Sequence, residues 1–339
     1  MTKINLRSHT NFISKIFRKD ISDINSNDNQ PKTRLQNIAW PSEVSAQLGN
    51  VSVGECKRSM FYKILGAACT EPMSVTGRYI CDAGNMYEAY HIQKFKDYGV
   101  YKDSQVQMDF EIPNSRNKVQ VRGRMDCIIE QEGERNVLEL KSVSEFKAAK
   151  IMSGDTPLPA PNNLMQAMLY KYYTTETEAG KALGINNVYL MYINRSTGGT
   201  FYYKIDIDES GYAIITAYDQ SGKELFIANL KDSKSFADLE ATAGISTTDE
   251  ARVAELRINI QDIFDKLDQI YDYTTNKILP PCDYTLVYTQ DQAKKEYSLG
   301  RISKLKYNKI MKGESFGDSK CAYCNYRTKC MSDNGITLK

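Results

Sequence analysis

The chain has no apolar run approaching the roughly 18 residues that a membrane-crossing helix needs, so it reads as a soluble protein with no membrane partner. It has no G-x-x-x-x-G-K-[ST] loop, which excludes an NTP motor within it. It has little net charge. Lys and Arg number 44 against 42 Asp and Glu, so a nucleic-acid partner is not announced by overall charge, and any basic surface must come from local patterning. There are no internal repeats. Residues 1–19 carry Lys3, Arg7, Lys15, Arg18 and Lys19 with no acid, yet they lack the continuous apolar core of a secretory signal. They read as an arm or helix packed on the body, with Asn11–Arg18 at amphipathic spacing. Eight cysteines in 339 residues are too sparse for a disulfide scaffold.

What remains is a composition with 41% hydrophobic and 25% charged residues, ordinary for a globular protein. Its length suggests one large domain with appendages or two joined lobes. Residues 20–40 read as a polar loop. A helix is expected over Val53–Gly66, opening near Ser52 with Cys56 in its first turns, and a second over Asp82–Tyr98. Strands follow at Gln105–Ile112, Lys118–Glu130 and Asn136–Val143, the last two joined through Glu132-Gly133-Glu134. A Pro-rich stretch, Thr156–Pro161, launches a helix over Asn163–Thr174. Asn187–Asn194 and Thr200–Asp206 form a hairpin across Ser196-Thr197-Gly198-Gly199, and Thr248–Lys277 reads as a long amphipathic helix ended by Pro280-Pro281.

The most informative stretch is Val121-Arg-Gly-Arg-Met-Asp126 followed by Val137-Leu-Glu139-Leu-Lys141. Alternation on a strand sends Glu139 and Lys141 to one face and Leu138 and Leu140 to the other, into a core. A hairpin can bring the Asp126 carboxylate beside Glu139. Two carboxylates plus a backbone carbonyl, here that of Leu140, make an all-oxygen site suited to Mg²⁺ or Mn²⁺. Lys141 beside it would orient a water or stabilise charge on a phosphate. Gly123 sits where a side chain would crowd an approaching backbone or phosphate.

The order G-x-x-D, then E-L-K, then Gln166-Ala-Met-Leu-Tyr170 resembles the RecB-type branch of the PD-(D/E)XK nucleases. The resemblance implies an α/β fold with a mixed central sheet flanked by helices, and a metal-dependent nuclease acting on single-stranded DNA or DNA ends, with 5′→3′ exonuclease action leading. It implies that Gln166 and Tyr170, one turn apart on a helix, face the active site, Gln166 supporting its geometry and Tyr170 contacting the DNA strand. Tyr172, Tyr173, Lys171, Arg122 and Arg124 supply aromatic and basic groups for stacking and phosphate contact.

Cys321-x2-Cys324-x5-Cys330 gathers three soft ligands in one segment, which favours a metal or cluster over disulfides and a reducing, cytoplasmic setting. The Cys56-Lys57-Arg58 segment with Phe61-Tyr62 resembles the N-terminal cysteine segment of iron–sulfur RecB-like nucleases, among them the AddB nuclease domain and the CRISPR-associated adaptation exonucleases. By that resemblance Cys56 is the fourth ligand of a [4Fe–4S] cluster joining both ends of the chain into a helical lobe. Tetrahedral zinc is the alternative. Cys69, Cys81, Cys127 and Cys282 are left as buried thiols. The resulting division is an N-terminal extension (1–50), a helical segment with the first ligand cysteine (51–100), a nuclease core (101–207), a helical region (208–280) and a C-terminal cysteine segment (281–339).

One departure stands out. RecB-like nucleases carry G-x-x-H-E before the first catalytic strand; this chain has Gly84-Asn85-Met86-Tyr87-Glu88. His91 lies one turn later and either reaches the metal from there or is unrelated surface. Glu88 is placed to compensate. The missing histidine keeps open a second reading, a non-catalytic DNA-binding protein, and the lack of a motor a third, a subunit beside a helicase or recombination partner. The long Ser210–Asp249 region suits a phage or mobile-element recombination nuclease as well as an adaptation enzyme.

Overall fold

A computed structural model describes residues 37–48, 51–152, 158–231 and 257–336. The helix expected over Asn11–Arg18 and most of the loop expected over 20–40 lie outside these residues. The described residues divide into two compact units, one within Leu35–Phe61 and Gly84–Tyr284, the other within Tyr62–Ala83 and Thr285–Lys339.

The larger unit is built on a mixed sheet. In chain order its first strands are β1 (Ile38–Ala39), β2 (Ser45–Leu48) and β3 (Val51–Gly54), with a 3-10 turn at Pro41–Glu43. Helices α1 (Lys57–Ile64) and α2 (Val75–Asp97) precede the long strands β4 (Tyr101–Glu111), β5 (Gln120–Gln131) and β6 (Glu134–Val143). Then come α3 (Glu145–Met152), α4 (Pro161–Glu176), α5 (Glu178–Lys181), β7 (Asn187–Asn194), β8 (Thr200–Ile207), β9 (Ala213–Tyr218), β10 (Glu224–Asn229) and α6 (Ile260–Thr275). The eight-stranded sheet runs β1-β5-β6-β7-β8-β9-β10, with β4 on the other side of β5, while β2 and β3 form a separate hairpin. Among the described strands only β1–β5 and β6–β7 pair in parallel.

Local chemistry explains most of these elements. Glu132 and Gly133 both take positive φ, 54° and 84°, the geometry of the two-residue turn that matches strand twist, and it fixes Gln131 opposite Glu134. Pro161 stands at the first turn of α4, where its missing N–H costs nothing. Asn259 caps α6, its Oδ1 accepting the Gln261 N–H at 2.8 Å.

Several expectations are corrected. Val51–Gly54 is a strand rather than the start of a helix: it pairs antiparallel with Ser45–Leu48, and Gly54 turns out of it at φ +88°. Cys56 therefore sits just before α1, its carbonyl accepting the Met60 N–H at 3.0 Å. Residues 38–39, expected in a loop, pair with β5. The 208–280 region, expected to be helical, first contributes β9 and β10, since Ala213-Ile-Ile-Thr-Ala-Tyr218 is a β-branched, alternating run. Among the described residues of this region the helix begins at Ile260; residues 232–256 lie outside the described set.

The smaller unit carries α7 (Gln290–Ser298), α8 (Lys304–Met311), α9 (Ser319–Ala322) and α10 (Arg327–Asp333). Tyr288, Ala293, Ile302 and Ile310 form its buried cluster, with Tyr307 and Phe316 against them. A capping box at Thr289 and Gln292 starts α7. No described helix is long and apolar enough to cross a membrane.

Gly123 has a structural reason different from the expected one. A Cβ there would stand 2.7 Å from Pro41 Cγ and 2.8 Å from Pro41 Cδ, so the glycine admits the 3-10 turn against β5. Gly123→Ala is expected to lower stability by about 1–3 kcal/mol, read as a urea midpoint shift, and Pro41→Ala in the same chain should recover part of it. An unshifted midpoint would remove Pro41 as the reason for the glycine.

Candidate active site

The site lies where two strands part. The β5–β6 ladder ends at Cys127 opposite Leu138, so Asp126 and Glu139, which come next, face an opening. Asp126 bridges it with its side chain, Oδ2 accepting the Leu140 N–H at 2.9 Å. Leu138 and Leu140 point into an apolar cluster with Cys127 and Ile193, against which Tyr87, Ile92 and Phe95 of α2 pack. Glu139 and Lys141 leave the opposite face. Parallel register sets Leu190 of β7 beside Glu139 and Tyr192 beside Lys141.

Glu139 is 0% exposed, and neither carboxylate oxygen makes a well-formed hydrogen bond. Oε1 instead lies against the Lys141 ammonium as an ion pair. Burial pushes the Glu139 carboxyl up to about 8; Lys141 pulls it back and Asp126 pushes it further. Burial also raises Asp126, against the pull of Lys141 and the Leu140 amide. For Lys141, burial works against the charge, but the Glu139 and Asp126 carboxylates outweigh it and hold the ammonium charged. With all three ionised the pocket keeps an excess negative charge that one lysine does not neutralise. Two carboxylates in that state suit a hard divalent cation, which binds through one or two acids and keeps its waters. Among the described residues no group of three or more His, Cys, Asp or Glu side chains is arranged to hold a metal, so an ion here would rest on those two acids, backbone oxygen and water.

The α4 pair is brought to the same place. Gln166 Nε2 donates to the Tyr170 hydroxyl at 2.8 Å, and that hydroxyl donates to the Arg124 carbonyl at 2.9 Å. The Glu139 and Asp126 charges act on the Tyr170 hydroxyl, and burial above all raises its pKa well above the ordinary value. Tyr170 is only 1% exposed, which corrects the expectation that it touches a DNA strand: it fixes α4 to β5 beneath the carboxylates. The neighbouring groups expected to meet DNA are also engaged. Tyr173 stacks on Phe110, Tyr172 packs edge-on to Phe264, and Lys171 pairs with Asp206 at 2.8 Å. Arg122 pairs with Asp109 at 2.6 Å. Arg124 is exposed on β5, its charge acting on Glu88.

Sequence reasoning missed Tyr192. Its hydroxyl accepts from the Ala160 N–H at 3.0 Å and from Asn163 Nδ2 at 2.8 Å, tying the start of α4 to the strand beside Lys141. The signal was there in outline, a tyrosine on the strand after the crossover, but its register against Lys141 needs the sheet.

Tyr87, in the usual histidine position, packs on the apolar cluster and hydrogen-bonds the Arg195 carbonyl. His91 Nδ1 meets the Tyr87 carbonyl at 2.8 Å and its ring lies edge-on to Tyr90; none of these contacts is to the carboxylates. Glu88 does reach them electrostatically: burial raises it first and the Asp126 charge next, while Gln105 donates to its Oε1 at 2.8 Å.

A family model, the PD-(D/E)XK nuclease superfamily, matches residues 74–331. The chain belongs to that superfamily. No curated protein matches it. A solved structure titled "Crystal structure of SSO0001" is 18% identical, covering 56% of this chain and 76% of its own at a TM-score of 0.35, too slight a likeness to carry weight.

The cysteines of this PD-(D/E)XK chain fall in different units, Cys56 in the larger and Cys321, Cys324 and Cys330 in the smaller. Cys321 and Cys330 are buried and Cys324 is half-buried; Cys324 Sγ accepts the Tyr326 N–H at 3.4 Å. The spacer after Cys324 is clamped from residues 70–71: the Asn325 carbonyl accepts the Thr70 and Glu71 N–H groups at 2.8 and 3.0 Å, and the Glu71 carboxylate takes the Thr328 N–H at 2.9 Å. Among the described residues the cysteines do not gather as a metal site. Of the thiols expected to be buried only Cys127 is; Cys69 and Cys282 are half-buried and Cys81 is exposed, since α2, which carries Cys81, buries none of its residues fully.

The burial of Glu139 has a pH signature. Unfolded, this carboxyl ionises near 4.5; folded and metal-free it holds its proton to about 8. The stability it contributes is present below 4.5 and is lost as pH rises towards 8. Melting of metal-free protein from pH 5 to 8.5 should therefore fall behind that of Glu139→Gln, the gap widening with pH. Parallel curves would place the ionisation elsewhere.

Proposed function

We propose that this chain is a metal-dependent DNA exonuclease, cutting 5′→3′ on single-stranded DNA or DNA ends during recombination, repair or replication in a phage, a mobile element or a prokaryote. The observation that supports it most is the buried Glu139–Lys141 ion pair beside Asp126 at the parted strands, in a chain whose superfamily is that of nucleases. Asp126, Glu139 and the Leu140 carbonyl would hold Mg²⁺ or Mn²⁺, which supplies a Lewis acid and lowers the pKa of a bound water. The residues' own parts follow from their surroundings. The Lys141 ammonium, kept charged by two carboxylates, offsets charge developing on the scissile phosphate. Gln166 and Tyr170 hold α4 against the Arg124 carbonyl and so fix the wall beneath Glu139. Exposed Arg124 is free to contact the strand's phosphates.

Cleavage of end-labelled single- and double-stranded DNA with Mg²⁺ or Mn²⁺ tests this directly. Wild type should release nucleotides from the 5′ end, and Lys141→Ala should lower the rate by at least about a thousandfold, as losing a preorganised charge does. Equal rates in the two proteins would remove the nuclease reading at its centre.

One observation favours the runner-up, a non-catalytic DNA-binding subunit of a helicase–nuclease or recombination complex. Tyr87, where the resemblance would put a metal-facing histidine, packs against the core cluster and hydrogen-bonds the Arg195 carbonyl. DNA binding without metal-dependent cutting would decide for it. A [4Fe–4S] cluster on Cys56, Cys321, Cys324 and Cys330 is proposed from spacing and resemblance, as a staple rather than a redox centre. Anaerobically purified protein should carry about four irons and four sulfides per chain, lost in Cys330→Ser; zinc in place of iron would assign the cysteines to the alternative metal.

A further inference from the structure

Lys147 is a cation without an anion. It lies half-buried on α3, the helix that directly follows the catalytic strand, and among the described residues no carboxylate pairs with it. Other lysines withdrawn from water have an oxygen partner: half-buried Lys306 donates to the Gly317 carbonyl at 2.5 Å, and others have a carboxylate. Lys141 has Glu139, Lys171 has Asp206 at 2.8 Å, and Lys266 has Asp283 at 2.9 Å. Burial alone acts on the Lys147 charge and pulls its pKa down. Leaving an ammonium partly desolvated and unpaired is unfavourable for the folded chain, so the fold gains nothing in stability from that charge.

Its position explains what the charge serves. The Lys147 ammonium lies 5.3 Å from the centre of the Tyr192 ring, and Tyr192 stands in register beside Lys141. The Tyr192 hydroxyl is held from two sides, by the Ala160 N–H and Asn163 Nδ2, so the ring is a fixed platform. Lys147 thus lies against the ring that stands in register beside Lys141 of the Glu139–Lys141 pair. A strongly hydrated point charge on a flexible stem suits a phosphate, and the ring beneath it supplies a weak partner that a phosphate readily displaces.

We infer that Lys147 is a phosphate-binding residue, taking the nucleic-acid phosphate that neighbours the one being cut. This rests on the nuclease reading of the site, and it adds a subsite that fixes the strand's register on the catalytic pair.

The test compares wild type, Lys147→Met and Lys147→Arg in three measurements. The first is affinity for a labelled single-stranded oligonucleotide without divalent metal, over a range of salt. The others are KM and kcat for its cleavage, and thermal melting. Lys147→Met is expected to weaken affinity and raise KM about tenfold, with kcat within about twofold. The salt slope should fall by about 0.7, the value of one single-strand phosphate contact. Its melting temperature should be equal to or above wild type, and Lys147→Arg should restore affinity. Wild-type affinity and salt slope in Lys147→Met would overturn the inference. So would a weakened affinity that comes with a lower melting temperature and is not restored by Arg, since that marks a structural lysine. Wild type that binds DNA without cutting it overturns the nuclease reading alone, because the affinity measurement still reads Lys147.

Discussion

The structure turns on one electrostatic fact: a carboxylate with no access to water is kept beside a lysine two residues along its own strand. Burying Glu139 is unfavourable unless something holds the charges in place, and each surrounding element does part of that. The parallel pairing of β6 with β7 shuts out water on one side. Helix α4 closes the other, located by the Gln166–Tyr170–Arg124 chain of hydrogen bonds and, at its start, by Tyr192. Strand β5 supplies Asp126 where its ladder with β6 has already stopped.

Much of this was legible in the residues. Period-two alternation put Glu139 and Lys141 on one face and two leucines on the other, and the core cluster around Leu138 and Leu140 agrees. The strands of the central hairpin and its turn were readable because turn chemistry and apolar periodicity coincide there. What failed did so for physical reasons. Val51–Gly54 carries apolar spacing that fits a helix or a strand, and only pairing with Ser45–Leu48 decides between them. Gly123 looked like room for a ligand because its true neighbour, Pro41, is 82 residues away in sequence. Tyr170 looked like a DNA contact because a sequence motif gives a residue's helix face without giving its depth.

The tyrosine at position 87 shows how a departure from a motif can be absorbed. A phenol is a poor ligand for a hard cation at neutral pH, but it is a good core residue when its hydroxyl finds a carbonyl. Here it finds Arg195, on the turn after β7. The tyrosine serves the scaffold here, and Glu88, one residue on, is the α2 carboxyl on which the Asp126 charge acts.

The bond from Asp126 to the Leu140 amide changes what genetics at this position can mean. A side chain is replacing a rung of backbone pairing, so the same oxygen atom is both a candidate ligand and a stitch in the sheet. Removing it as alanine opens a seam as well as deleting a charge, and a dead Asp126→Ala protein would not tell the two losses apart. Asparagine keeps an acceptor for the amide while discarding the charge. In this fold, the amide isostere is the knockout that separates chemistry from architecture.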